Sequence, residues 1–477
     1  MYILADDLGY GDIGYLNPQS RIPTPNIDRL AGQGVRFTDA HDPSAVCTPT
    51  RYGILTGRYC WRSRLKRGVL TPLAETLIEA GRLTVPALLK SHGYDTAAIG
   101  KWHLGWNWPT TDGGPAVYQA SKTNVDFAKP IATGPTTRGF DCYFGTDVPN
   151  YPPYCFIEND RTLGMPTDML PLERLQQEAK ATGFGPLGCS PGPMLPGWQL
   201  VNILPRLTDR AVQYIEARPP QRRNPFFLYF PLTGPHVPIV PAPQFQGKSK
   251  AGPYGDWVHQ IDWTVGQVLA ALDRAGLAGN TLVIFTSDNG PENYAYERAR
   301  TYRHYSMGAW RGVKRDTWEG GHRVPFLARW PGRIKPGSES SEIICQTDLM
   351  ATVAAIVGAR VPDNAGEDSY NILPALLGEK RNVPIREATV LHSFQGHFAI
   401  RQGPWVLIDY ITGDDNNQEP DWFKKERGYE PHSFPGELYN LQDDPAERRN
   451  LYGERLDQVE KLKTLLERYK REGRSAP

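Results

Sequence analysis

Tyr2-Ile3-Leu4-Ala5-Asp6-Asp7 and Leu282-Val283-Ile284-Phe285-Thr286-Ser287-Asp288-Asn289 are the two stretches that decide the fold. In both, a short apolar run of the kind that forms a buried strand ends in carboxylates. Residues 96–99 and 226–230 form two more such runs, each followed closely by Gly or polar residues. Between the runs lie amphipathic segments that we predict as helices, at residues 26–33, 84–91, 207–217 and 257–275. This alternation predicts βα units and a mostly parallel sheet sandwiched by helices.

The residue composition and the predicted elements of the chain change twice along its length. Residues 107 to about 200 are rich in Pro, Gly and aromatic residues, and we interpret them as a substrate-shaping insertion in a catalytic α/β domain of residues 1–383. Residues 384–477 are predicted to form a smaller C-terminal α+β domain. Its expected elements are an antiparallel sheet from residues 389–393, 397–401 and 405–411, followed by a helix over 456–474.

Bulk composition excludes several classes of protein. The net charge is +1 and 22% of residues are charged, so no nucleic-acid or membrane partner is predicted. No run approaches the roughly 18 apolar residues that would span a bilayer. The absence of Asn-x-Ser/Thr favours a bacterial source. We expect the periplasm or the extracellular space, with any signal peptide absent from this chain and a cytoplasmic location left open.

The segment Ala45-Val46-Cys47-Thr48-Pro49-Thr50-Arg51-Tyr52-Gly53 predicts a cysteine at the entrance of a helix. Pro49 fits the first turn, where free N–H groups and the helix dipole attract an anion. Arg51 lies one turn along, where it can steady the group at position 47. A buried structural cysteine is the simplest alternative. A cysteine phosphatase loop is set aside because Gly53 stands where it needs Arg.

The two acidic pairs predict a metal site. If the strands before Asp6-Asp7 and Asp288-Asn289 are neighbours, three carboxylates and an amide oxygen meet at one sheet edge. Oxygen ligands suit Ca²⁺ or Mg²⁺ rather than zinc, and the asparagine favours Ca²⁺. Either pair alone would more often be a cap or a turn.

Cys-x-Pro-x-Arg followed by Thr-Gly-Arg at residues 56–58 resembles the signature of the sulfatase family. So do Asp6 to Asp12, Gly93 to His103, and the Lys314 to Pro325 segment that contains Trp318-Glu319-Gly320-Gly321. The resemblance implies an alkaline-phosphatase-like fold and a sulfuric ester hydrolase. It also implies that Cys47 is converted to formylglycine by a formylglycine-generating or other maturing enzyme. The hydrated aldehyde supplies one hydroxyl to attack sulfur and a second whose deprotonation expels sulfate.

The same resemblance assigns roles to further residues. Formylglycine at position 47 would complete the set of metal ligands, and Asp288 would accept the proton of the attacking hydroxyl. Lys101 would bind sulfate, and His103 would receive the proton of the second hydroxyl. Two residues apart on an extended chain, Lys101 and His103 are expected to face one side.

His236 and Lys314 would protonate the departing alcohol oxygen between them. His236 lies in Gly-Pro-His-Val-Pro after the run at residues 226–230, where a purely structural histidine is the alternative. The choice of Lys314 over its neighbours Arg311 and Arg315 rests on register. His322 and Arg323 are expected to be structural.

The expected substrate is a sulfated small molecule or saccharide, with a carbohydrate favoured. Aromatic residues around positions 102–108, 151–154 and 294–310 suggest a platform for sugar rings, and Arg300, Arg303 and His304 are weaker candidates for its specificity pocket. Two alternatives remain. One is a phosphonate monoester or phosphodiester hydrolase of the same superfamily, and the other is a sugar-binding protein without catalysis.

Overall fold

Every run that we predicted as a buried strand lies in one sheet of the computed structural model, which describes residues 1–119, 122–171, 173–174, 177, 189–218 and 224–477. Among these residues the strands are β1 (Tyr2–Asp6), β2 (Val35–Phe37), β3 (Ala40–His41), β4 (Asp95–Lys101), β5 (Tyr118–Gln119), β6 (Lys122–Thr123), β7 (Cys142–Thr146), β8 (Ile157–Glu158), β9 (Arg161–Thr162), β10 (Asp168–Leu170), β11 (Gly192–Met194), β12 (Phe226–Pro235), β13 (Val283–Ser287), β14 (Phe326–Arg329), β15 (Ser338–Ser340), β16 (Ile344–Cys345), β17 (Thr389–His392), β18 (Phe398–Gln402), β19 (Trp405–Ile408) and β20 (Glu437–Asn440). The α-helices of the same residues are α1 (Pro25–Gly32), α2 (Cys47–Thr56), α3 (Val85–Ser91), α4 (Ile203–Glu216), α5 (Gly252–Arg274), α6 (Tyr294–Tyr302), α7 (Glu319–His322), α8 (Leu349–Val357), α9 (Leu373–Leu376), α10 (Asp421–Arg427) and α11 (Leu456–Glu472).

The main sheet has ten strands in the order β15-β2-β14-β13-β1-β12-β4-β7-β8-β9. Its five central strands, β13, β1, β12, β4 and β7, all run parallel. Antiparallel strands β14 and β8 flank this block. The mixed, mostly parallel sheet predicted from the sequence is therefore confirmed, and the carboxyl ends of its central strands share one edge.

The central strands are apolar on both faces because helices cover both. Ile3 and Ala5 of β1 pack in one core with α1, α4 and α5. Tyr2 and Leu4, which alternate with them, pack in a second core with α2, α3 and α8. A strand with a period of two and two buried faces reads as a continuous apolar run, which is the pattern that identified β1.

Two element boundaries differ from the prediction by five residues, and the others differ by less. Helix α5 begins at Gly252 instead of residue 257, because Pro253 fits the first helical turn, where its missing N–H costs nothing. Strand β12 runs on to Pro235 because residues 231–235 stay extended and buried. The predicted insertion also contributes β7, β8 and β9 to the main sheet, so part of it is integral to the core.

The C-terminal residues form the antiparallel sheet β17-β18-β19-β20, with α11 packed on it. The expected meander and helix are confirmed, and β20 adds a fourth strand that we did not predict. A domain boundary near residue 384 remains a prediction. None of the helices of the described residues is both long and apolar enough to cross a bilayer.

Candidate active site

The carboxyl ends of four adjacent strands bring the predicted site residues together. Asp6 ends β1 and Asp288 follows β13, and the two strands pair so that the Asp288 N–H donates to the Ala5 carbonyl at 3.0 Å. Lys101 ends β4, and His236 follows β12. Because β13, β1, β12 and β4 are consecutive in the sheet, these side chains converge at one edge.

Cys47 is the first residue of α2, and every residue of that helix is buried. Its Sγ and carboxylate oxygens of Asp6 and Asp288 all lie within 4.8 Å of one another. The structure thus places the cysteine motif, which is distant in sequence from both acidic pairs, directly beside them.

Arg51 lies one turn along α2 and binds the acidic cluster. Its Nε and Nη2 donate to Asp288 Oδ2 at 3.0 and 2.6 Å, and its Nη1 donates to the Lys101 carbonyl at 3.2 Å. Nη2 is also 3.6 Å from Asp6 Oδ2. Since the guanidinium group is fully buried, it is held in place by charge-assisted hydrogen bonds.

Two lysines neutralise the first acidic pair. Lys101 Nζ lies 2.6 Å from Asp6 Oδ2, and Lys314 Nζ lies 2.8 and 2.9 Å from the two oxygens of Asp7. Asn289 Nδ2 donates to Asp7 Oδ1 at 2.7 Å. Asp7 itself has a positive φ of 68°, a conformation that costs free energy outside glycine and often marks functional sites.

Two oxygens in this cluster are buried without a hydrogen-bond partner, namely Asp6 Oδ1 and Asn289 Oδ1. Buried polar atoms normally have a hydrogen-bond partner. Two unpartnered oxygens at the carboxyl ends of the neighbouring strands β1 and β13 therefore suggest that a further group binds between them. Oxygens of this kind are ligands for a hard cation, and the donor set of three aspartates and one asparagine fits Ca²⁺ or Mg²⁺.

The two buried carboxylates nearest Cys47 have opposite pKa shifts. Burial raises the pKa of Asp6, but the nearby cations, Lys101 foremost, outweigh burial and bring it well below its usual range. Burial and then the negative charge of Asp6 raise the pKa of Asp288 well above its usual range, although Arg51 opposes this. Such divergence within a pair gives one permanent anion and one group able to take up a proton.

His103 does not lie on the extended chain that we expected. Strand β4 ends at Lys101, and His103 has a φ of 54°, so the argument that the two side chains face one side was wrong. The His103 Nε2–H donates to the Leu70 carbonyl at 3.0 Å, which leaves Nδ1 as an unprotonated acceptor with no partner. Burial and then the charge of Lys101 lower the pKa of His103 to about 3.

His236 lies between the first core, where its carbonyl accepts from Trp257 Nε1 at 3.4 Å, and the acidic pair. Its Nδ1–H donates to the Val237 carbonyl at 2.5 Å, and its Nε2 lies 3.9 Å from Asp7 Oδ2. Burial lowers the pKa of the imidazole to about 4. His236 therefore presents Nε2 toward the site.

The three cations around position 314 have different partners, and the role of Lys314 stays a prediction. Lys314 contacts Asp7, whereas Arg311 points away and pairs with Glu419 at 2.7 Å. Burial opposes the charge of Lys314, but Asp7 outweighs burial and raises the pKa of the ammonium group. Arg315 pairs with Glu292 at 2.5 Å.

Glu292 is a site residue that we missed in the sequence. It lies 3.6 Å from Lys314 Nζ and binds Arg315 with both oxygens. The available signal was its position four residues after Asp288, on the segment that leaves the carboxyl end of β13.

The prediction that aromatic residues around positions 102–108 form a platform for sugar rings was wrong. Trp102 and Trp106 are both 1% exposed and pack on each other in the second core, since the chain turns inward after β4. Tyr154 is buried as well. His304 is also buried and hydrogen-bonds Asp12 at 2.7 Å, so it supports the loop after β1 and does not line a pocket.

A second cluster with metal-ligating groups, His41, Glu319 and His322, has a different character. Nδ1 of His41 and Nδ1 of His322 are 3.0 Å apart, while Glu319 binds Arg323 at 2.6 Å and Arg401 at 3.2 Å. Because the Glu319 carboxylate already binds the guanidinium groups of Arg323 and Arg401, it is a poor ligand for a metal cation. Because Arg401 lies in β18, the cluster joins the main sheet to the C-terminal sheet. His322 is structural, as expected.

These histidines predict acid sensitivity. Burial lowers the pKa of His322 to about 3 and that of His392 to about 4, and it also lowers the pKa of His41. In the unfolded chain these histidines have pKa values near 6.5, so below that pH they bind protons that they do not bind in the folded chain. Their neutral forms therefore contribute fully to the free energy of unfolding above about pH 6.5, and this contribution is lost as the pH falls toward 4. We expect the free energy of unfolding, measured with urea, to fall by up to about 1.4 kcal/mol per histidine and pH unit. A flat or rising profile over this window would contradict the assignment.

Comparison with known proteins gives consistent results. A family model described as Sulfatase matches residues 1–359, and one described as N-sulphoglucosamine sulphohydrolase, C-terminal, matches residues 307–472. An N-acetylgalactosamine-6-O-sulfatase of Bacteroides thetaiotaomicron is 34% identical over 98% of this chain and 92% of its own length. Human arylsulfatase A is 34% identical over 94% of this chain and 82% of its own length. A solved structure from work on the metabolism of multiple glycosaminoglycans by Bacteroides thetaiotaomicron has a TM-score of 0.82 and 34% identity, and covers 98% of both chains.

Proposed function

Because this chain belongs to the sulfatase family and hydrolyses sulfate monoesters, we propose that it acts on a sulfated carbohydrate, with formylglycine formed from Cys47 as the nucleophile and Ca²⁺ beside it. The observation that carries this proposal is the position of Cys47 Sγ within 4.8 Å of carboxylate oxygens of Asp6 and Asp288. A buried structural cysteine has no reason to lie between two buried carboxylates.

The cation would be held by four side chains and by the modified residue at position 47. The four are Asp6, Asp7, Asp288 and Asn289. The orphaned oxygens of Asp6 and Asn289 support this ligand set, and Mg²⁺ is the alternative ion. When bound, the ion supplies positive charge to a sulfate oxygen and to the ionising nucleophile.

The nucleophile is activated by the residues around position 47. When formed, the hydrated aldehyde supplies one hydroxyl to attack sulfur and a second to lose its proton and release sulfate. Asp288, which has a carboxylate oxygen within 4.8 Å of Cys47 Sγ, accepts the proton of the attacking hydroxyl. Arg51 and Lys101 hold the negative charge that develops between the two acidic pairs.

His103 is suited to the second step. Its Nε2–H is committed to the Leu70 carbonyl, so Nδ1 carries the lone pair and has no protein partner. A neutral imidazole in this tautomer accepts the proton of the second hydroxyl, and the release of sulfate follows.

His236 and Lys314 act on the departing alcohol oxygen. Both contact Asp7, at 3.9 Å and 2.8 Å, and so they lie on the side of the cluster away from Arg51. Lys314 keeps its charge because of Asp7, so its ammonium group neutralises the oxygen and gives it a proton. His236 shares this protonation in its imidazolium form, because the neutral ring carries its hydrogen on Nδ1.

The relatives suggest which alcohol carries the sulfate in the substrate. The Bacteroides thetaiotaomicron relative, which covers nearly the whole chain, is named for removing a 6-O-sulfate from N-acetylgalactosamine. We assign a saccharide substrate of this general kind to the present chain. We also propose that a maturing enzyme converts Cys47 and that the protein is located in the bacterial periplasm or outside the cell.

A pair of matched esters tests the reaction class. We expect kcat/KM for 4-nitrophenyl sulfate to exceed that for the corresponding phenylphosphonate monoester by at least about 10²-fold, because sulfur carries only small oxygens whereas the phenyl group on phosphorus would have to fit among the buried charged side chains around Cys47. Colorimetric release of 4-nitrophenol measures both. A preference for the phosphonate would favour the phosphonate hydrolase alternative, and no turnover of either would favour a binding protein.

A further inference from the structure

Arg315 adopts a backbone conformation that a side chain normally avoids. Its φ is 83°, in the left-handed region that favours glycine, and it directly follows the site residue Lys314. Such residues cluster at functional sites, where the surrounding structure holds them in place. A glycine would meet the backbone requirement here without strain, so the arginine side chain needs a reason of its own.

Neighbouring segments fix this conformation. The Arg315 N–H donates to the carbonyl of Ala45, two residues before Cys47, at 2.8 Å. Asn416 Nδ2 donates to the Lys314 carbonyl at 2.5 Å, and the Asp415 N–H donates to Asp316 Oδ1 at 3.0 Å. The residues just before α2 and the C-terminal residues thus clamp Arg315 at the partly solvent-exposed edge of the site, which we call its opening.

The Arg315 side chain lies at this opening and is partly accessible. It is 29% exposed, and its two terminal nitrogens bind the two oxygens of Glu292 at 2.5 and 2.9 Å. The Lys314 side chain beside it is only 4% exposed. Arg315 is therefore the outer of two consecutive cations, and a ligand larger than sulfate reaches it first.

The charges at the opening do not balance. Lys314 forms an ion pair with Asp7, which is also a proposed metal ligand. Lys314 lies 3.6 Å from Glu292, and Glu292 also forms the ion pair with Arg315. When Asp7 is engaged as a metal ligand, two cations have one carboxylate between them. Nη1 also donates to Asn416 Oδ1 at 3.3 Å, so the hydrogen bonds of Arg315 to described residues leave Nε and the second N–H of Nη2 to bind a second carboxylate or sulfate beside Glu292.

We propose that Arg315 recognises a second anionic group of the substrate, a carboxylate or another sulfate next to the sulfate that is removed. This inference rests on the proposed function and narrows it to sugars with at least two negative charges. Glu292 acts as a positioning residue that aims the guanidinium group. A role for Arg315 in positioning Lys314 alone is the competing explanation.

Arg315→Gly is the decisive variant because it removes the side chain and suits the left-handed backbone. Arg303→Gly is its matched control: Arg303 also has a positive φ, of 50°, and also pairs with a glutamate, Glu426, at 3.4 Å. Its contacts among the described residues are with Glu426 and the Tyr305 ring and with none of the site residues, so the placement of Arg303 in the specificity pocket, which we expected from the sequence, is withdrawn. Relief of the positive φ favours both variants, while the loss of an ion pair and the greater entropy of the unfolded chain oppose it, so thermal unfolding verifies the fold of each variant before its kinetics are compared.

The measurement compares kcat/KM for three sugars, N-acetylgalactosamine 6-sulfate, its 4,6-disulfate, and a disaccharide that joins the 6-sulfated sugar to a uronate. We expect the wild type to prefer at least one of the dianionic sugars about tenfold or more, and the preferred sugar identifies sulfate or carboxylate. Arg315→Gly should reduce this ratio about tenfold, while Arg303→Gly keeps it. Arg315→Lys should restore part of it.

Two results would overturn the proposal. Equal losses on the monosulfate and the dianionic sugars in Arg315→Gly would assign the residue to the positioning of Lys314. A wild type that hydrolyses 4-nitrophenyl sulfate but treats all three sugars alike would refute the role of Arg315 and leave the proposed function standing. Failure to release sulfate from 4-nitrophenyl sulfate and from all three sugars would instead refute the proposed function.

Discussion

Cys47→Ala is expected to lower kcat/KM for a sulfate ester by about 10⁴-fold or more, because the side chain that becomes the nucleophile is gone. Removal of a covalent nucleophile leaves only what binding and charge stabilisation provide. Cys47 Sγ lies within 4.8 Å of carboxylate oxygens of Asp6 and Asp288, so the variant removes the reacting group from the acidic cluster. Sulfate release measured over long incubations gives the residual rate.

Cys60→Ala is the matched control. Cys60 and Cys47 are each 3% exposed, but the nearest polar contacts of Cys60 Sγ are Ser63 and the Leu65 carbonyl, far from the acidic pairs. This variant should retain wild-type kcat/KM and lose little stability. Near-wild-type activity in Cys47→Ala, with the fold verified by circular dichroism, would refute the nucleophilic role.

Removal of divalent ions with a chelator is expected to lower kcat/KM by about 10³-fold or more and to destabilise the fold. Three aspartates crowd around one point, and a cation there contributes several kcal/mol of charge stabilisation to the reaction. Ca²⁺ at 100 times its Kd should raise the free energy of unfolding by about 2.7 kcal/mol. Urea unfolding with chelator and with added Ca²⁺ measures the increment.

Two buried aspartates distinguish a metal ligand from a structural carboxylate. Asp7→Asn should abolish the Ca²⁺ increment, because the variant loses a charged ligand and breaks the pair with Lys314. Asp262 is equally buried but caps α1 through the N–H groups of Asn26 and Ile27. Asp262→Asn should lower stability and keep the full increment. The same increment in both variants would place the ion elsewhere.

The sheet and the convergence of the acidic pairs could be predicted because they follow from local patterns. Each central strand is a short apolar run, and the polar residues that end it must share an edge if the strands are parallel. Asp6 and Asp288 meet for this reason alone. The cysteine motif is predictable as a helix start, but its contact with the acidic pairs depends on how α2 packs, which periodicity does not encode.

The missed or mistaken features depend on backbone turns and on burial. His103 and Arg315 both have positive φ values, which the sequence cannot show for residues other than glycine. Trp102 and Trp106 looked like a sugar platform, yet the chain turns them inward, because large aromatic side chains stabilise a core as readily as they bind a ligand. Glu292 lacks a motif of its own and is recognisable only from its contacts with Lys314 and Arg315.

The most direct measurement is a peptide mass spectrum across Cys47 on an active preparation, combined with labelling by an aldehyde-specific hydrazide. We predict that the fraction of chains with an aldehyde at position 47 equals the fraction that the hydrazide labels. We also predict that activity falls in proportion to the labelling. A fully active preparation that carries only the unmodified thiol at Cys47, and that the hydrazide neither labels nor inhibits, would contradict the mechanism.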